Sequence, residues 1–364
     1  MKIFGVFLVV SVALVYSEVC TVLEFSNVQN AVQTCNDILL ENVTVPGGET
    51  LKLHLQDGTR VTFRGITKFG YALWEGPLIE INGTNITVAG EDGSIFDGQG
   101  QLYWDGQGEW GVVKPKFFTI QLHNSTMKNI YVLNTPVHCV LLTDSSNVEL
   151  SNWTIDDSAG DKDVAPEKYG HNTDGFDVFN STNIVVKDAF VYNQDDCVAV
   201  RSGNNITIEN FYCHGGHGLS ISAGWSNDSF FINTLTNVII RNSQLVGGRN
   251  GIHIKTHIDA GKGLIANVTY ENITFSEMEY YGINIQQNYK NLPEQNTSYP
   301  VDPDNNIPIK NLELKNIQGS VQSNAIPVYI LCADEGCFDW NFVNVTVEGT
   351  KDNSCNYVPS NYTC

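Results

Sequence analysis

Positive charge is scarce in this chain. Lys and Arg total 20 against 40 Asp plus Glu, a formal charge of −20. Such an acidic surface repels nucleic acid and anionic membranes, so neither is expected as a partner. Charge of either sign is limited to 16% of residues, while 42% are hydrophobic and 10% aromatic. That balance excludes a disordered chain and is ample for a buried core. Long apolar runs are also few. The only one, Ile3–Tyr16 behind Lys2, falls short of the about 20 residues that a membrane span needs. It reads as a secretory signal peptide, residues 1–17, cut near Ser17–Glu18. The mature protein is then secreted and extracellular, without a membrane anchor. Zinc-ligand spacing, a Gly-x-Ser-x-Gly elbow and a phosphate loop are all missing. No linker-like or low-complexity stretch divides residues 18–364, which read as one domain.

An exported chain keeps its cysteines mostly as disulfides. The chain has 9, and their spacing is local: Cys20 with Cys35, Cys197 with Cys213, Cys332 with Cys337, Cys355 with Cys364. Spacing alone does not establish connectivity. Cys139 is left over in the apolar stretch His138–Leu142 and reads as a buried, inert thiol. Thirteen Asn-x-Ser/Thr sequons suit a secreted glycoprotein.

Long amphipathic helices are absent, and short runs rich in Val, Ile, Thr and Tyr take their place. A repeat organises them: Asn, two residues, an apolar residue, one residue, then Asn or Asp. It occurs at Asn124–Asn129, Asn147–Asn152, Asn183–Asp188, Asn205–Asn210, Asn237–Asn242, Asn267–Asn272 and Asn311–Asn316, with a partial copy at Asn85. Successive intervals are 23, 36, 22, 32, 30 and 44 residues. The short values give a basic coil and the long ones add loops. A repeated coil of strands and turns buries its apolar face only by stacking. The expected fold is all-β, a right-handed parallel β-helix with coils about 4.8 Å apart. Anchor asparagines should stack at a turn, and Asn124, Asn205 and Asn267, which are also sequon asparagines, should be closed to glycan if buried there. A short helix between Ser26, the expected N-cap, and Leu39 should cover one end through Val28, Ala31, Val32 and Cys35. The late cysteine pairs should staple the other.

Coil register points to chemistry. Asp174 lies nine residues before Asn183, as Asp196 does before Asn205; Asp195 lies twelve after Asn183, as His217 does after Asn205. Three acids and a histidine should therefore meet on adjacent coils. A lone Asp such as Asp177 or Asp188 reads as a turn residue. Clustered acids raise one another's pKa values, and carboxylates of split pKa suit glycoside hydrolysis. The competing reading is a Ca²⁺ site of Asp174, Asp195 and Asp196, as a polysaccharide lyase would use. In Gly251–His257, alternation turns His253, Lys255 and His257 outward and Ile252 and Ile254 inward. A cationic strip beside acids suits an anionic substrate in a groove.

Taken together, Asn172-Thr173-Asp174, Gln194-Asp195-Asp196-Cys197, Gly216-His217-Gly218 and His253-Ile254-Lys255 resemble the four ordered signature segments of the polygalacturonases of glycoside hydrolase family twenty-eight, in its fungal-type branch. The likeness covers nearly the whole mature chain. It implies a pectinase that hydrolyses α-1,4-linked galacturonic acid with inversion, acting in endo fashion as a monomer and without metal or other cofactor. Asp195 would be the general acid. Asp174 and Asp196 would hold and activate water, and His217 would orient the acid. Asn172, His253, Lys255 and Tyr289 would bind polygalacturonic acid or pectin, with Lys255 on a substrate carboxylate. Two positions depart from the family pattern: His253 stands where an arginine is usual, and Asn288 where an Asp is common. If His253 replaces that arginine, it should act as a cation only in mildly acidic solution. The rival reading is a hydrolase-like protein that binds pectin fragments with little cutting.

Overall fold

The computed structural model describes residues 19–161, 164–292 and 302–364. The leader expected over residues 1–17 lies outside them. Among the described residues, 26 strands join one sheet whose pairings are parallel. The sheet winds into the expected right-handed parallel β-helix.

Stacked apolar positions build the core. Ile184 pairs in turn with Ile206, Val238, Val268 and Leu312, and Val186 with Ile208, Ile240, Tyr270 and Leu314. All ten are buried. Each aliphatic side chain so placed contributes about 1.5–3 kcal/mol, but only while neighbouring coils cover it. Towards the N-terminal end the core turns aromatic. Phe63, Phe96, Phe118, Trp153, Phe176 and Phe211 form a file of edge-to-face contacts with centroids 4.6–5.6 Å apart.

The repeat asparagines turn the corners. Strands Ser181–Tyr192 and Gly203–His214 each bend twice, at Asn183, Asp188, Asn205 and Asn210, whose φ values are 56–59°. That left-handed conformation is costly for most side chains and tolerable for Asn and Asp. Their side chains form ladders: Asn147 donates to Asn124, Asn183 to Asn147 and Asn205 to Asn183, each at 2.8 Å. Asn210 donates to Asp188 at 2.9 Å, which makes Asp188 the turn residue expected. Two details differ from expectation. Asn237 stays in backbone register with Asn205, yet its amide donates to Asn204, whose oxygen also accepts from Thr236. The ladders also run along the outside of the corner. Asn124, Asn205 and Asn267 are exposed, so burial does not close those sequons.

Both ends are covered. Helix Val28–Thr34 buries Val28, Ala31 and Val32 and is tied down by the Cys20–Cys35 disulfide. It is shorter than expected. Ser26 sits in a preceding 3₁₀ turn, Asn27 takes the N-cap without a side-chain bond, and Leu39 belongs to strand Asp37–Glu41, paired with Thr21 and Thr62. At the other end Cys332–Cys337 and Cys355–Cys364 close beside Trp340, Phe342, Tyr357 and Tyr362. Cys197–Cys213 lies mid-helix, and Cys139 is free and buried.

Candidate active site

One face of the β-helix carries the strands Val140–Thr143, Phe176–Phe179, Val198–Val200, Leu219–Ala223, Asn250–His257 and Tyr281–Tyr289, paired in that order. A cleft opens above them. Asp174 and Asp196 each precede their strand by two residues, and the Gly175 N–H donates to the Asp196 carbonyl at 2.9 Å. The His217 N–H donates to the Asp195 carbonyl at 2.8 Å. The acids and histidine inferred from coil register thus meet on successive coils. Glycine permits the close approach: a Cβ on Gly216 would lie 2.5 Å from the Asp195 carbonyl oxygen.

The three acids have different partners. Asp195 Oδ1 lies 2.9 Å from His217 Nδ1 and accepts from the Asp196 N–H at 2.7 Å, while Oδ2 accepts from the Asn172 amide at 3.1 Å. Burial pushes the Asp195 pKa up, but His217, Lys255 and His171 outweigh it and hold the carboxyl well below the usual range. Burial also lowers His217 despite Asp195. The imidazole is therefore not the sole reason that Asp195 stays ionised; the two N–H donors and Lys255 remain when His217 is neutral. Asp196 pairs with Lys255 Nζ at 2.9 Å and accepts from the Ser220 hydroxyl at 2.6 Å. Asp174 is different. Burial, then the charge of Asp195, pushes it up to about 7. Neighbouring carboxylates with opposed proton affinities are the arrangement that acid–base cleavage of a glycosidic bond requires.

The strand Asn250–His257 turns Ile252 and Ile254 into the core and His253, Lys255 and His257 towards the cleft, as alternation demands. The expected cationic strip holds a single cation. Burial, with Lys255 beside it, lowers His253 well below its ordinary value, and burial, with Lys255 and Arg201, takes His257 down to about 3. For His253 that direction runs against the cation expected in mildly acidic solution. Neither of its ring nitrogens has a hydrogen-bond partner among the described residues. Lys255 keeps its charge against burial because Asp196 faces it, and its Nζ lies 4.8 Å from the Tyr289 ring centroid. Tyr289 and Arg249 line the same cleft.

Several site residues were not singled out in the sequence. Asp177, expected to be a turn residue, is buried beside Asp174, and Arg201 Nη2 lies 2.7 Å from its Oδ1. Asp177 lies three residues beyond Asp174 and Arg201 five beyond Asp196; nothing in their spacing separates them from ordinary surface charges. His138 sits against both Asp174 and Asp177, and Glu109 and Trp225 complete the walls. Gln194 braces the floor: its amide donates to the Asp157 carbonyl at 2.9 Å. Among the described residues, possible metal-ligand atoms fall into two groups, His138/Asp174/Asp177 and Asp195/Asp196/His217. Asp174 is thus separate from the other two acids of the expected Ca²⁺ trio. In each group a side-chain cation already faces a carboxylate, Arg201 on Asp177 and Lys255 on Asp196.

A parallel β-helix bearing this acid cluster in an open cleft defines a class of polysaccharide-cleaving proteins. The glycosyl hydrolases family 28 model matches residues 35–364, and the chain belongs to that family. It is a glycoside hydrolase. Similar proteins include a polygalacturonase of Phaedon cochleariae, 44% identical over 351 residues, covering 95% of this chain and 93% of that one. A probable endopolygalacturonase I of Aspergillus terreus is 42% identical, covering 96% of this chain and 92% of the other. Among solved structures, endopolygalacturonase I from Stereum purpureum, complexed with two galacturonate, superposes with a TM-score of 0.81 at 34% identity, covering 93% of this chain and 96% of that one.

Proposed function

We propose that this protein hydrolyses α-1,4-galacturonosyl linkages of polygalacturonic acid or pectin, as a secreted, monomeric enzyme that cuts within the polymer, inverts the anomeric centre and needs no cofactor. The observation that carries the reading is the set of three buried carboxylates in one cleft, one pushed up to about 7 and one held well below its ordinary value. Asp195 is the acid for the leaving oxygen, Asp174 and Asp196 hold and activate water, and His217 orients Asp195 through the 2.9 Å contact. Asn172 fixes the second Asp195 oxygen. Lys255 meets a galacturonate carboxylate, and Tyr289 and His253 line the sugar site. An acid must carry a proton. A substrate carboxylate on Lys255 offsets one cation that keeps Asp195 ionised and adds negative charge, so binding moves Asp195 towards its protonated form. Inversion follows if Asp174 or Asp196 delivers water to the face of the sugar opposite the leaving oxygen that Asp195 protonates.

The test is incubation of the purified chain with polygalacturonic acid. New reducing ends, intermediate oligomers and early β-configured ends by proton NMR are the expected result. Early α-configured ends would remove the inverting mechanism. Ultraviolet-absorbing unsaturated products would replace hydrolysis by lyase chemistry. Release of monomer alone would turn endo action into exo action. Binding without new ends would favour the fragment-binding reading.

A further inference from the structure

His138 lies in the cleft wall with three carboxylates around one ring. Its Nδ1 is 3.1 Å from Asp174 Oδ1 and 3.4 Å from Asp177 Oδ2, and its Nε2 is 3.5 Å from Glu109 Oε2. The first two contacts are at ion-pair distance but off the hydrogen-bond axis. Carboxylate oxygens thus face both ring nitrogens, an environment that favours the doubly protonated, cationic ring. Charge balance agrees. Among the described residues, Arg201 is the one other cation paired with Asp174 and Asp177, at 3.7 and 2.7 Å, and Asp195 adds a further anion next to Asp174. A neutral ring would leave the buried Asp174 and Asp177 with Arg201 as their single compensating charge, and removing one partner from a buried charge cluster is costly. Glu109 is fastened in place: its N–H donates to Asn172 Oδ1 at 3.1 Å, and its Oε1 accepts from Asn291 at 3.1 Å across the cleft.

We propose that His138 is a positioning residue, a largely buried imidazolium that limits how tightly Asp174 binds its proton, so that the anion needed to activate water forms at lower pH than it would beside a neutral ring. This rests on the role given to Asp174 above. Burial opposes the charge on His138, but Asp174, Asp177 and Glu109 outweigh it and raise the ring well above its ordinary value. Without the imidazolium, Asp174 would bind its proton more tightly still, and the pH above which it can serve as a base would rise.

Two measurements test this on the full chain. In nitrogen NMR of ¹⁵N-histidine protein, with His138→Asn for assignment, the His138 ring should remain doubly protonated above neutral pH. Its midpoint should fall by about one unit or more in Asp174→Asn. A neutral ring at pH 7 would overturn the proposal. In kinetics, His138→Gln should move the acid limb of kcat/KM upward by ~1–3 pH units, with activity recovering at higher pH. A uniform loss at every pH would show a merely structural role and also overturn it. Should His138→Gln fail to fold, the ring titration of the unmutated chain decides. Failure of the unmutated chain to cleave polygalacturonate would instead sink the functional reading, while the ring titration still tests the imidazolium.

Discussion

The asparagine corner and the cleft floor are made by the same coil geometry, and they behave oppositely. At the corner, like residues stack and satisfy one another. An amide both donates and accepts, so Asn183 can give to Asn147 and take from Asn205 at 2.8 Å each, and the file stays exposed and neutral. On the floor, acids stack on acids in buried positions. A carboxylate only accepts, so each needs a different partner from elsewhere: His217 for Asp195, Lys255 for Asp196, and His138 with Arg201 for Asp174 and Asp177. Stacking therefore lends regularity where residues are self-complementary. Where they are not, it imposes a charge problem that chemistry can use.

The largest effect should come from removing the floor's acid. Asp195→Asn keeps the shape but only one acceptor oxygen, enough for either the Asp196 N–H or the Asn172 amide. Turnover on polygalacturonate should fall by about 10²–10⁴-fold, the usual worth of general acid catalysis, with unchanged circular dichroism. Turnover within a few-fold of the parent would remove Asp195 from that role.

Lys255→Met should separate pairing from packing. It strands Asp196 in a buried position with only the Ser220 hydroxyl. Breaking a buried pair by removing one partner costs about 3–5 kcal/mol. Urea unfolding should show a loss of that order, together with a raised KM. An unchanged midpoint would mean that water already reaches Asp196.

Asp174→Asn tests the floor's pH dependence. With Asp174 near 7 in the folded chain and about 3.9 unfolded, the folded state holds a proton that the unfolded state has lost. Stability should then fall as pH rises from about 4 to 7. The proton linkage is about 1.36 kcal/mol per unit, so at most about 4 kcal/mol is involved. The Asn variant should show a flatter stability profile across that window. A profile parallel to the parent's would place Asp174 in an ordinary solvated environment.

How much of each region could be read from the sequence follows from the same contrast. The corner is legible because each copy of the repeat sets Asn and, five residues on, Asn or Asp, however long the loop to the next copy; Asn124 to Asn316 announce it. The coil register then carried Asp174, Asp195, Asp196 and His217 to one place without any structure. Their partners were not legible. His138 and Arg201 compensate Asp174 and Asp177 from different coils, and no repeat constrains where a compensating cation must sit. The ionisation of His253 is hard to read for a related reason. Its residue type suggested a cation, but its ionisation depends on burial and on Lys255 beside it, which spacing does not encode. Helix Val28–Thr34 was overextended because Leu39 fits a helical period as well as it fits strand Asp37–Glu41.

The smallest expected effect belongs to the corner, and it separates ladder bonding from backbone strain. Asn183 sits at φ 57° and makes one ladder bond to each neighbouring coil. Asn183→Gly removes both bonds but adopts that φ freely. Asn183→Ala removes the same bonds and must also hold a left-handed conformation that costs an ordinary residue roughly 1–2 kcal/mol. The bonds are exposed, so each contributes about 0.5–1.5 kcal/mol net. Ala should therefore be the less stable variant by roughly 1–2 kcal/mol, read as a difference in urea midpoint at constant slope. Activity should stay near parental in both, because Asn183 is not among the residues that line the cleft. Equal midpoints would mean that the amide ladder alone, and not left-handed backbone, selects asparagine at the turns. Lost activity at full stability would show that the corner and the floor are mechanically coupled, and the separation drawn between them would fail.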